Sequence, residues 1–206
     1  MTKMIDTGEM RTIIFNNVFN ETNNVLSGIK TQMRDHACSG DKEISFCTDD
    51  KDGLLTVFSE NVEVAKAHYK AGEALAIGVL KRTIDVDSSD YVGDRQRIIA
   101  PPLVRYDIEM LHRSIQITRV SIERTKDISD EECFKEGVFR LGEKYGYEFC
   151  NSINDNFTFS TFVFDSPRDA FASKICKEKG AYAWDSNPYM FVYDFKLIKD
   201  GTNEKR

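Results

Sequence analysis

The chain has 206 residues, 41% hydrophobic and 30% charged, with a formal net charge of −6. That size fits one domain with insertions, and that composition supplies enough apolar material for a core. The acidic balance argues against a broad basic surface coating duplex nucleic acid, and no apolar run approaches the roughly 20 residues needed to cross a bilayer.

Met1 to Glu9 is polar, with no apolar stretch of the kind a secretory signal carries, so a cytoplasmic location is expected. The five cysteines, Cys38, Cys47, Cys133, Cys150 and Cys176, form no Cys-x-x-Cys pair and are expected as reduced thiols. His36-Ala37-Cys38 offers two metal ligands, but no second pair sits at a metal-site spacing, and neither metal nor cofactor is expected.

In chain order, Arg11 to Asn16 predicts a first strand. Val18 to Ser27 predicts a short helix, with Val18, Val25 and Leu26 on one face and Gly28 as its left-handed stop. A short extended segment follows at 29–34. Asp35 to Lys51 reads as loop-rich, with a strand at Ile44–Cys47, and Leu54 to Phe58 is a further β-rich run. Tyr69 to Glu73 turns into a strand at Ala74–Leu80. Residues 81–102 lack clear periodicity and read as a long loop closed by Pro101-Pro102, with Arg95, Arg97 and Arg105 as a local basic cluster.

Ser114 to Arg124 predicts a strong strand. Its alternation changes phase near Thr118–Arg119, which predicts a bulge. Ser129-Asp130-Glu131-Glu132 is a capping box opening a short helix that Gly137 ends. Phe139 to Asp165 reads as a second insertion, with a strand at Phe159–Phe164. Ser166-Pro167-Arg168-Asp169 caps a helix that Gly180 terminates. After a turn at Trp184–Pro188, Tyr189 to Leu197 alternates as a final strand, central because Met190 and Val192 make its second face apolar too. Strands with three short helices and no βαβ alternation predict an α+β fold around a mostly antiparallel sheet or barrel.

The most informative stretch is Gly28-Ile29-Lys30-Thr31-Gln32-Met33-Arg34. In a regular strand Lys30, Gln32 and Arg34 share one face, while Ile29, Thr31 and Met33 share the other. Two cations around an amide suit a phosphate or a polar base edge; they equally suit an exposed strand edge whose charges oppose aggregation. Arg34 could contact phosphate through its guanidinium fork, or brace the fold against an acid such as Asp35 or Glu73. Trp184, in a turn, is a candidate stacking surface. His68 and His112 are isolated from any nucleophile.

These blocks, in this order, resemble the ASCH domain family of the PUA-like superfamily, and its bacterial and phage members in particular. The resemblance rests on Gly28 to Arg34, on Tyr69 to Ile77, on Ile115 to Val120 with Asp127 to Gly137, and on Trp184 to Tyr189. It implies a PUA-like β-barrel with helices packed outside, spanning residues 8–198, with insertions near 81–113 and 139–165 and tails at 1–7 and 199–206. It also implies a cleft lined by the Lys-Thr motif and the Glu136-Gly137 segment. The function implied is an RNA- or nucleotide-binding module, with Lys30, Thr31, Gln32, Arg34, Glu136 and Trp184 as ligand-binding residues, in a host cytoplasm or a virion if phage-encoded. Some members hydrolyse acylated cytidine with a Lys, a Thr and a Glu. Here those positions are Lys30, Met33 and Glu136, so the hydroxyl is missing and only Thr31 stands near. A third reading is an interaction protein that keeps the fold, with the insertions as its partner surface.

Overall fold

The computed structural model describes residues 10–15, 19–40, 43–85, 103–153 and 156–198. Both expected tails, residues 16–18, Arg95 and Arg97 lie outside the described residues. The chain is mostly β. Its larger sheet has five strands in the order β1 (Thr12–Ile14), β6 (Ala74–Asp85), β7 (Leu103–Arg124), β11 (Tyr189–Ile198) and β2 (Gln32–Cys38). Only the β1–β6 pair is parallel. This sheet curls into a half-barrel, so the α+β, barrel-like expectation is met at that level. A three-stranded sheet of β3 (Ile44–Thr48), β4 (Leu55–Ser59) and β5 (Val62–Lys66) packs against one face of it. There Val57 joins Ile13, Leu75, Ile115, Phe191 and Tyr193 in the main apolar core.

The opposite face of β11 meets the other layer. A sheet of β8 (Phe139–Leu141), β9 (Lys144–Ile153) and β10 (Asn156–Phe164) joins α2 (Asp130–Lys135) and α3 (Pro167–Lys179) around a second core of Cys133, Tyr147, Ala170, Phe171, Ile175 and Met190. The capping box of α2 forms as predicted, and Ser166 caps α3 by accepting from the Asp169 amide. The strand β11 lies between β7 and β2. It sends Phe191, Tyr193 and Phe195 into the main core and Met190 into the second. The predicted bulge is where the phase slip placed it: Asp194 pairs with Arg119 and Phe195 with Ile117, leaving Thr118 unpaired.

One expectation is corrected. Residues 81–85, expected as the start of a long loop, are strand: β6 and β7 continue past the sheet as a two-stranded arm, with Lys81 opposite Asp107 and Asp85 opposite Leu103, while 86–102 lie outside the described residues. The period-two pattern of Val104, Tyr106, Ile108 and Met110 accounts for the arm. The strand expected at Phe159–Phe164 lies within β10, and the 139–165 segment adds two more strands to it, with Tyr145, Tyr147 and Phe149 alternating on β9.

Candidate functional site

Backbone geometry gathers the motif. The chain leaves α1 (Glu21–Leu26) through Gly28 at φ 78°, and the Lys30 amide then donates to the Asn24 carbonyl. The Thr31 amide donates to the carbonyl of Lys135 at the end of α2, while the Thr31 carbonyl accepts from Phe195 on β11. Glu136 closes α2, and Gly137 turns the chain away at φ 92°. A side chain at Gly137 would meet Lys30 and Asn24 besides being strained.

Gln32 and Arg34 share a face, as the alternation predicted, but that face is not exposed. Opposite β2, Gln32 pairs with Asp194 and Arg34 with Val192, and α2 covers them. Lys30, Gln32 and Arg34 retain 3%, 0% and 5% exposure. The expectation of an open basic rim is therefore corrected: acids on neighbouring elements take up the charge. Lys30 Nζ lies 2.8 Å from Glu136 Oε2 and 3.0 Å from Glu21 Oε1. Lys174, on α3, lies 2.9 Å from the same Glu21 oxygen and donates to the Glu136 carbonyl. Arg34 faces Glu123 at 3.1 Å, and Glu132 and Glu136 each at 3.5 Å. Arg34 thus braces the fold against acids, as one of its two readings expected, but not against Glu73, which binds Arg11 at 2.7 Å. Gln32 links the group to β11, accepting from Arg34 and donating to Asp194.

Three cations and four carboxylates thus form one network beneath the helices. Desolvation makes such a network costly, and mutual attraction repays that cost only when partners match. Burial disfavours the charged forms of Glu21 and Lys30, but the opposite charges outweigh it. Lys30 and Lys174 hold the Glu21 carboxyl well below its usual range, and Glu136 and Glu21 hold the Lys30 ammonium well above its own. The depressed acid stabilises the fold above its ordinary value of 4.5, and that contribution is lost as pH falls below it. The raised base stabilises below 10.5, and its contribution is lost as pH rises beyond. Urea midpoints should therefore fall on both sides of that window, and Glu21→Gln should flatten the acid limb relative to its own maximum. An unchanged midpoint between about pH 6 and about pH 3 would contradict this linkage.

The match is incomplete at one place. Arg34 Nε and Glu136 Oε1 face each other at 3.5 Å, and Arg34 Nη1 faces Glu123 at 3.1 Å, but these buried atoms are ion-paired without making a hydrogen bond. Arg34 and Glu136 line a cavity of about 30 Å³, together with Lys30, Met33, Phe15 and Phe171. That is room for one or two water-sized groups. Met33 thus stands at the cavity wall, and Thr31 does not. Trp184 is not brought to this group; it packs edge-on against Phe171, 6.2 Å between centroids, in the second core. Sequence reasoning missed Glu21 and Lys174. Their signal was position: Glu21 sits one helical turn before Val25, and Lys174 falls among Ala170, Phe171 and Ile175 on the apolar side of α3.

Comparison with known protein families, characterised proteins and solved structures yields no match to this chain. Among the described residues, no helix is long and apolar enough to cross a membrane.

Proposed function

We propose that the chain is a non-catalytic recognition module of the ASCH, PUA-like kind, binding RNA or a nucleotide at the Arg34–Glu136 cavity. The observation that carries this reading is a set of buried, ion-paired atoms there whose hydrogen bonds are unmade. Arg34 Nε and Nη1 are donors and Glu136 Oε1 is an acceptor, and both residues line the cavity. A buried polar group that makes no hydrogen bond is costly even when a charge lies near it, which makes such atoms candidates for a ligand. Donors beside a carboxylate complement a group that presents an acceptor next to an amine, as the pairing edge of cytosine does. The cavity admits only that polar edge, so the ring and sugar lie outside it.

Catalysis by the acyl-cytidine route is disfavoured on two counts. Lys30 is held protonated and cannot serve as a base, and Met33 supplies no hydroxyl. Calorimetry should show CMP or a short cytidine-containing RNA binding the native chain. Arg34→Lys and Glu136→Gln should each weaken that binding about tenfold or more while circular dichroism shows the fold retained. Acetylated cytidine should persist unhydrolysed with the native chain. No binding of CMP or RNA at millimolar concentration sinks the proposal. The reading then left is an interaction protein using the β8–β10 sheet, where Leu141, Phe159 and Val163 are exposed.

A further inference from the structure

A second, larger cavity adjoins the first. Its volume is about 520 Å³, within the range of small-molecule sites, against about 30 Å³ for the inner one. Ile175, Glu178 and Lys179 line both, so the last turns of α3 are their common wall. The larger cavity has an apolar floor that includes Ile175 and Met190, both buried, and Pro188. Its rim carries polar and aromatic groups. His36 and Ser39 share a hydrogen bond of 2.8 Å on one side, Lys179 follows on α3, and Tyr182 stands on the turn after Gly180.

Tyr182 is the feature without a packing explanation. It is 81% exposed, the most exposed of the large apolar side chains among the described residues. A phenol ring at the lip of a concave apolar site is a surface on which a planar ring can stack. The cation beside it is only loosely held, since Lys179 Nζ lies 3.8 Å from Glu178, its neighbour in sequence. The unused chemistry of this cavity is therefore one aromatic face, one apolar floor and one available ammonium.

We infer that this cavity holds the body of the ligand whose polar edge the Arg34–Glu136 cavity reads, and that the ligand class is a nucleoside monophosphate unit. The base stacks on Tyr182 over the apolar floor, and its phosphate reaches Lys179. This inference rests on the recognition reading above, with Tyr182 and Lys179 as binding residues that neither motif nor resemblance indicated.

The test uses Trp184, the only tryptophan in the chain and two residues from Tyr182, as a fluorescence reporter. Titration with CMP should change its emission saturably, and the His36 ring proton signals should shift in NMR spectra. Tyr182→Ala and Lys179→Met alter residues at the cavity rim and leave the fold intact; each should weaken CMP binding roughly tenfold, the scale of one stacked base or one phosphate contact. Cytidine, lacking the phosphate, should bind less tightly than CMP to the native chain and equally to Lys179→Met. If both variants bind CMP as the native chain does while Arg34→Lys does not, this cavity is not the ligand's seat and the recognition reading stands. If the native chain binds neither CMP nor short RNA, both are overturned.

Discussion

Replacing Lys30 by methionine should destabilise the protein by about 3–5 kcal/mol, the usual cost of removing one partner from a buried ion pair. Lys30 is the hub of the network: its single ammonium serves Glu136 at 2.8 Å and Glu21 at 3.0 Å, with 3% of its side chain exposed. Methionine fills similar space, so the loss is electrostatic rather than a cavity. Glu21 keeps Lys174, and Glu136 keeps Arg34 at 3.5 Å, but two carboxylates then share less positive charge in a site water barely reaches. The double variant Lys30→Met/Glu136→Gln removes a charge of each sign. It should cost less than the two single changes added together, by about 1 kcal/mol or more, because contacting residues in one network are not additive. Urea unfolding of the four proteins measures that coupling. Additive losses would show that Lys30 and Glu136 act independently and would rule out a coupled network.

The same residues show how far the sequence can be read. Capping chemistry is local, so Ser129 with Glu132 and Ser166 with Asp169 mark the starts of α2 and α3 in the sequence alone. Period and phase are local too: the slip near Thr118 locates the bulge, and the two apolar faces of Tyr189 to Leu197 place that strand in the sheet's interior. The β6–β7 arm escapes such a reading because its pairing is made between residues some twenty positions apart, and only one of its two strands alternates cleanly. The motif at 28–34 marks Lys30, Gln32 and Arg34, which do gather, whereas Glu136 is indicated only by the resemblance. It cannot show what covers them. Exposure of Lys30 and Arg34 is decided by α2 and α3 arriving from more than 90 residues downstream, together with Glu21 and Lys174. A charged residue on an apolar helix face reads as an exception until its partner, far away in sequence, is placed beside it.

The strand β11 couples the two cores, and Phe191→Ala should expose that coupling. Phe191 is 2% exposed in the main core, while its neighbour Met190 is 0% exposed in the second. Truncating a buried phenylalanine costs about 3–5 kcal/mol, and a buried methionine about 2–5 kcal/mol, from lost transfer energy and the cavity left behind. In a chain of this size each kcal/mol lowers the melting temperature by about 2–4 °C, so either change should lower it by several degrees to more than ten. The informative result is the shape of the transition. Adjacent residues on one strand point into opposite cores, and β11 is hydrogen-bonded on both sides, to β7 and to β2. Neither core can lose its packing without disturbing the strand the other needs. Both variants should therefore unfold in a single step, with Trp184 fluorescence, which reports the second core, and far-ultraviolet circular dichroism, which reports the sheets, giving the same midpoint. Phe191→Ala acts on the main core, so an early loss of sheet signal with Trp184 still in its native environment would mean two independently stable units. A coincident midpoint in both variants would mean that the half-barrel and the other layer fold as one body, with the buried ion network between them.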